Sequence, residues 1–139
     1  MSVTRDIMDL LASWGYGEVG KGIYDTQLLG IRRPTHGILV EQRNTTPEPD
    51  VLNQTDTVYM NVQVRGPGGG ERGKRSAYET AMELYRRLNL ILDIRINETL
   101  YLKIQPDTAP YEVPSSGNTG TDRDYLFGLE VVRYYGPEE

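Results

Sequence analysis

Residues 57–66, TVYMNVQVRG, alternate strictly, with Val58, Met60, Val62 and Val64 on one parity and Tyr59, Asn61 and Gln63 on the other. Side chains along an extended chain point to opposite faces in turn, so this pattern predicts a strand with one apolar face and one polar face. Such a strand belongs to a sheet covered on one side, and what covers it must come from elsewhere in the chain. Other strands follow from similar patterns. GILVEQR (37–43) reads as a strand, and Ile94 and Ile96 lead through NET to Leu100, Leu102 and Ile104 as a hairpin. The last strand is YLFGLEVVRYY, with Tyr125, Phe127, Leu129 and Val131 on one face. Gly128 lies on its other face and marks a bulge or a close approach.

Two helices supply the cover. Residues 4–14 carry Ile7, Leu10, Leu11 and Trp14 at helical spacing, with Thr4 as the expected N-cap and Gly15 as the stop. The second helix starts near Ser76, where Ser76 and Glu79 form a Ser-x-x-Glu capping box. Ala77, Ala81, Leu84, Tyr85 and Leu88 then repeat on one face, and Glu79, Glu83, Arg86 and Arg87 face outward. Between the first helix and the first strand, GYGEVGKGIYDTQLLG reads as an extended connector tethered by Val19, Ile23 and Leu28. The expected order is α-β-β-α-β-β-β. This is an α+β domain over 1–139, with two helices on one face of a mainly antiparallel sheet.

The stretch RGPGGGERGKRS (65–76) matches part of a phosphate-binding loop, because Gly68, Gly73 and Lys74 have the spacing of Gly-x4-Gly-Lys. The residue after the lysine is Arg75, however, and the serine that would hold magnesium comes one position late, at Ser76. The strand before it alternates, whereas a phosphate-loop strand sits inside a parallel sheet and is apolar on both faces. We therefore read a basic loop (Arg65, Arg72, Lys74, Arg75) followed by a helix cap. The loop is open to three readings: a solvated surface, a contact with an acidic protein, or a contact with a phosphate backbone.

Composition excludes further chemistry. The chain has no cysteine, which removes disulfides, thiolate metal sites and cysteine nucleophiles, and His36 is the only histidine. His36 reads as a turn residue beside Pro34 and Gly37, and the Asp122–Asp124 pair as a solvated loop. No serine sits in a nucleophile elbow, and GNTGTDRD lacks the spacing of an EF-hand loop. We assign no catalytic residue, no metal site and no cofactor. No apolar run approaches the roughly 18 residues of a membrane span, and MSVTRDIMDLLASWG lacks a signal-peptide core, so we expect neither membrane insertion nor secretion. The net charge of −5 argues against broad nonspecific DNA binding. Ten tyrosines against one phenylalanine suit half-wet interfaces. Tyr59, Tyr134 and Tyr135 join the four basic residues as candidate partner-contact positions.

Two segments carry a resemblance. IMDLLASWGYGEVGKGIYDTQLL is a helix followed by glycines spaced G-x-G-x-x-G, and VYMNVQVRGPGGGERGKRSAYETAMELYRRLN is a strand ending in Val-Arg-Gly, a loop and a helix. A hairpin, a long loop and a final strand of the form Y-x-F-x-L-E-V-x-R follow. In this order and spacing, nearly the whole chain resembles the tail terminator, or tail completion, proteins of long-tailed bacteriophages, often labelled minor capsid proteins. The insertion at 66–75 is longer than the loop expected there.

The resemblance implies a virion structural protein and no enzyme. It implies a homohexameric ring on the end of the tail tube that stops polymerisation and presents the head-joining surface. The implied partners are other copies of the chain, the tail tube protein and a head connector or stopper protein. Genomic DNA would pass through the channel without sequence-specific binding, helped by the acidic balance. The implied location is the tail–head junction of the virion, with the host cytoplasm as the site of assembly. Loops 44–56, 65–75 and 106–123 are then the natural contact segments. Two alternatives are another head–tail joining protein (a connector adaptor or stopper) and a nucleotide-binding enzyme using 66–76.

Overall fold

The structure is a computed structural model and describes residues 2–26, 36–43, 48–68, 76–114 and 122–135. Its elements, in chain order, are α1 (Val3–Ser13), β1 (Glu18–Val19), β2 (Gly22–Tyr24), β3 (Gly37–Gln42), β4 (Glu48–Asp50) and β5 (Thr55–Pro67). They continue with α2 (Ala77–Arg87), β6 (Ile91–Ile96), β7 (Thr99–Pro106), β8 (Tyr111–Val113) and β9 (Asp122–Tyr134). The α+β class holds. The expected α-β-β-α-β-β-β order does not, because nine strands form among the described residues. The additional strands are short. β1 and β2 arise inside the connector, while β4 and β8 arise inside the polar loops 44–56 and 106–123.

The sheet runs β1-β2-β3-β5-β9-β7-β6, with β4 added to β5 and β8 added to β9. The pairings β1–β2 and β2–β3 are parallel, and the others are antiparallel. Its centre is the β5–β9 ladder, paired without a slip from Thr55↔Tyr134 to Pro67↔Asp122. β5 thus lies antiparallel to both of its main neighbours, β3 and β9, unlike the strand that precedes a phosphate-binding loop.

The predicted alternation in β5 is observed. Val58, Met60, Val62 and Val64 are at most 3% exposed, while Tyr59, Asn61 and Gln63 are half-buried. Phe127, Leu129 and Val131 of β9 join them on the inner face, with Tyr125 packed at the edge. From α1 come Ile7, Leu10 and Leu11, together with Val3 and Met8, and from α2 come Ala77, Ala81 and Leu84, followed by its C-cap Leu88. All belong to one apolar cluster, and each large aliphatic side chain in it contributes about 1.5–3 kcal/mol. Ile23 of the connector is fully buried and Val19 packs against the cluster, as the tether reading expects. Leu28 lies outside the described residues.

Two expectations are corrected. The N-cap of α1 is Ser2, not Thr4: the Ser2 side chain accepts a hydrogen bond from the Arg5 N–H at 3.0 Å. Both are good capping residues, and starting the helix at Val3 buries Val3 as well. In β7 the inward residues are Tyr101 and Ile104, both fully buried, whereas Leu100 and Leu102 are only half-buried. The cause is a register shift between Tyr101 and Lys103 against β9, which resets the parity at Leu102.

Candidate functional site

The described residues hold no group of three or more His, Cys, Asp or Glu placed to bind a metal ion. Instead, charged residues pair with one another across the strands. Arg65 and Asp124 stand opposite in the β5–β9 register, and the guanidinium grips both carboxylate oxygens at 2.8 and 2.9 Å. Gln63 donates a third bond to Asp124 at 3.1 Å. Asp124 is fully buried, so the solvated-loop reading of the Asp122–Asp124 pair fails for it. Burial of a carboxylate requires such a complete set of donors. At the other end of the ladder Arg133 grips Asp56 at 2.9 and 2.6 Å, again as a direct cross-strand pair. Bonding to an aspartate holds both guanidiniums above their ordinary pKa.

A third arginine lies across the outer face. Arg43 forks onto Asp107 at 2.9 and 2.7 Å and donates its Nε–H to Asn61 at 2.9 Å. It passes directly over Gly128, where a Cβ would fall 1.6 Å from Arg43 Nη2 and 2.2 Å from Asp107 Oδ1. Of the two readings of Gly128, the close approach is the observed one, since the β5–β9 register is continuous through it.

Beneath the first helix a fully buried Asp6 accepts bonds from the Tyr101 hydroxyl and from Asn97 Nδ2 (2.8 Å). Burial, followed by the bond to Asp6, raises the pKa of Tyr101. Asn97 sits in the two-residue turn between β6 and β7 with φ +55° and also donates to Asp9 at 2.9 Å.

A cavity of about 560 Å³ lies at the end of β5, where α1 and α2 meet the sheet. Trp14, Ile38, Val64 and Ala77 give it apolar walls, with His36, Glu83 and Arg87 among its polar lining. Arg87 lies 4.3 Å from the centre of the Trp14 ring, a cation–π contact. The Tyr16 hydroxyl bonds to Glu83, and burial first, then that bond, raises the Tyr16 pKa. His36 lies in the bend before β3 with Nε2 3.1 Å from Asp122 Oδ1.

The sequence-derived contact residues that lie among the described residues do not gather at one place. Arg65 is 13% exposed and engaged with Asp124. Arg72, Lys74 and Arg75 lie outside the described residues. Tyr59 stands on the outer face beside Arg43 (5.6 Å to the ring centre) and donates to Glu48 at 3.4 Å. Tyr134 is half-buried at the end of β9, and Tyr135 is 52% exposed with its N–H bonded to Gln54 O at 2.9 Å. Val51 and Leu52, at the turn between β4 and β5, lie in the expected contact segment 44–56 though not among the contact residues named from the sequence, and they are 79% and 94% exposed. Two consecutive aliphatic residues inside an otherwise polar loop were the available signal.

No family model matches the chain, and no curated protein matches it. Among solved structures, one whose name carries no functional term aligns over 99% of this chain and 100% of its own, with 14% identity and a TM-score of 0.53. At that identity the likeness is one of fold alone.

Proposed function

We propose that the chain is a structural assembly protein of the phage tail–head junction. In this reading it forms a homohexameric ring on the end of the tail tube, ends polymerisation and offers the surface that joins the head. The supporting observation is the serial match of helix, glycine-spaced connector, Val-Arg-Gly strand, capped helix, hairpin and final strand to the tail terminator pattern. Those segments meet in one sheet and one core, so the pattern corresponds to a single packed unit. In the same reading both helices cover one face of the sheet, and the opposite face, with Tyr59 and Gln63, is available for neighbours.

The charge arrangement supports a structural role. Arg65 and Arg133 on the ladder and Arg43 beside it are engaged by aspartates, and a net charge of −5 repeated around a ring leaves a channel along which DNA slides. A ring follows when one heterologous contact repeats with a closing rotation. Electron microscopy of the purified protein, alone and mixed with tail tubes, tests the reading: rings and capped tube ends are expected. Protein that forms no ring and leaves tube ends bare refutes it. Binding to connectors but not to tubes would indicate the adaptor or stopper role. Magnesium–ATP binding abolished by Lys74→Ala would indicate the enzyme.

A further inference from the structure

The turn between β4 and β5 is a hydrogen-bonded apolar knob. Its aliphatic tip, Val51 and Leu52, is almost wholly in water. Its base is fixed by Asp50, which accepts from the Asn53 N–H at 3.3 Å and from Asn53 Nδ2 at 2.7 Å. The bond from the Tyr135 N–H to Gln54 O ties the same turn to the end of β9. Leaving a Leu and a Val this exposed forgoes several kcal/mol of burial (about 1.5–3 each), and ordering the turn adds to that cost unless the tip is buried in an assembly.

The complementary feature is the cavity of about 560 Å³ lined by Trp14, Ile38, Val64 and Ala77. Its size lies within the roughly 300–1,000 Å³ of sites that enclose ligands or anchor side chains. Charge matches as well. Glu48 and Asp50 flank the knob and are exposed, while the exposed Arg87 lines the cavity and the exposed Arg86 joins Arg87 in the neighbouring hollow on α2.

Knob and cavity sit at opposite ends of one strand. β5 starts at Thr55, just after the knob, and ends at Pro67, in the cavity wall. Thirteen residues of extended chain span about 40 Å. A chain therefore cannot fill its own cavity, and each copy presents one knob and one cavity to different neighbours. That is the geometry of a heterologous contact, which repeats until it closes or continues as a filament. We infer that Val51 and Leu52 of one copy insert into the Trp14–Val64–Ala77 cavity of the next, as the anchor of the subunit contact. The inference rests on the ring reading and names the contact that reading leaves unspecified.

Sedimentation velocity on the full chain tests it with two variants, Leu52→Asp (knob lost) and Thr80→Trp (cavity filled, Thr80 being part of its lining). The wild type is expected to sediment as a multi-subunit species and each variant as a monomer. The mixture of the two variants is expected to stop at two chains, because only one intact knob–cavity pair remains. Because the chain has no cysteine, Leu52→Cys combined with Thr80→Cys provides a test that does not depend on the folding of Thr80→Trp. Oxidation should give covalent multimers by a bond that one chain alone cannot make. Wild-type protein that stays monomeric at every concentration, Leu52→Asp that assembles as the wild type does, or double-cysteine protein that stays monomeric on oxidation overturns the inference. Leu52→Asp rings under the electron microscope would overturn it while leaving the ring reading intact. Failure of wild-type protein to form rings or cap tubes is the separate failure of that reading.

Discussion

Arg43 occupies the space that a side chain at position 128 would need: its Nη2 lies 1.6 Å from where a Cβ on Gly128 would fall. Glycine at this point of β9 is therefore a requirement of the Arg43–Asp107 pair rather than of the backbone. Gly128→Ala should displace the guanidinium and break its bonds to Asp107 and Asn61, at a cost of about 1–2 kcal/mol. The same substitution in an Arg43→Ala background should be neutral or slightly stabilising, since alanine suits a strand better than glycine. Urea denaturation of the four proteins in the cycle measures this, and equal costs in both backgrounds would contradict it.

Asp124 poses the opposite problem, a carboxylate with no exposure at all whose partner Arg65 is itself only 13% exposed. Asp124→Ala leaves that guanidinium without its carboxylate, and a loss of about 3–5 kcal/mol is expected. Replacing both residues by aliphatic ones should recover most of it, because the pair's own desolvation is removed too. The midpoint of chemical unfolding distinguishes these outcomes; a loss below about 1 kcal/mol for the single change would show that the pair is effectively solvated.

How far the sequence foretells these features depends on the range of the interaction that sets them. The β5 alternation and the Ser76 cap follow from a few neighbouring residues, and both are observed. At Gly128 the sequence leaves a bulge and a close approach open, and the distant Arg43 and Asp107 decide for the approach. The Arg65–Asp124 pair joins residues 59 positions apart, and only the β5–β9 register brings them together. A basic residue beside a glycine run therefore reads as a surface group until that register is known. The buried Tyr101 was hidden by one extra residue in β7, since a single bulge at Leu102 turns Leu100 outward and Tyr101 inward. Strands β4 and β8 are three residues each and mostly exposed, so no hydrophobic pattern marks them; long neighbours, β5 and β9, template them. The candidate contact site is the least legible: the resemblance marks the segment 44–56, but charge and tyrosine draw attention to other residues, while its exposed large side chains, Val51 and Leu52, are aliphatic.

The Ser76 hydroxyl accepts the Glu79 N–H at 3.1 Å and starts the helix whose Ala77, Ala81 and Leu84 enter the core. Ser76→Ala should cost about 1 kcal/mol, and Ser76→Asp should restore most of it, since aspartate also caps and suits the positive end of the helix dipole. Thermal unfolding followed by circular dichroism reads both. If alanine and aspartate are equally destabilising, the serine acts by its fit at this buried position and not as a cap.

The Tyr101–Asp6 bond sets how the fold responds to alkali. Burial and that bond hold the Tyr101 pKa above its ordinary value near 10, so the folded phenol stays protonated where an unfolded one ionises. Above about pH 10 the unfolded chain binds fewer protons at this site than the folded chain, and stability falls with rising pH by up to about 1.4 kcal/mol per pH unit. Below about pH 9 the contribution is fully present and independent of pH. Tyr16 and Tyr125 are shifted in the same direction, chiefly by burial, and steepen the fall. Tyr101→Phe should lower stability at neutral pH by about 1–3 kcal/mol, because Asp6 loses a donor, while making the alkaline slope shallower. Urea midpoints at intervals between about pH 8 and 11 test both effects together. A phenylalanine variant with the wild-type alkaline slope would show that Tyr101 ionises as freely in the folded protein as in the unfolded one, and that Asp6 owes its burial to Asn97 alone.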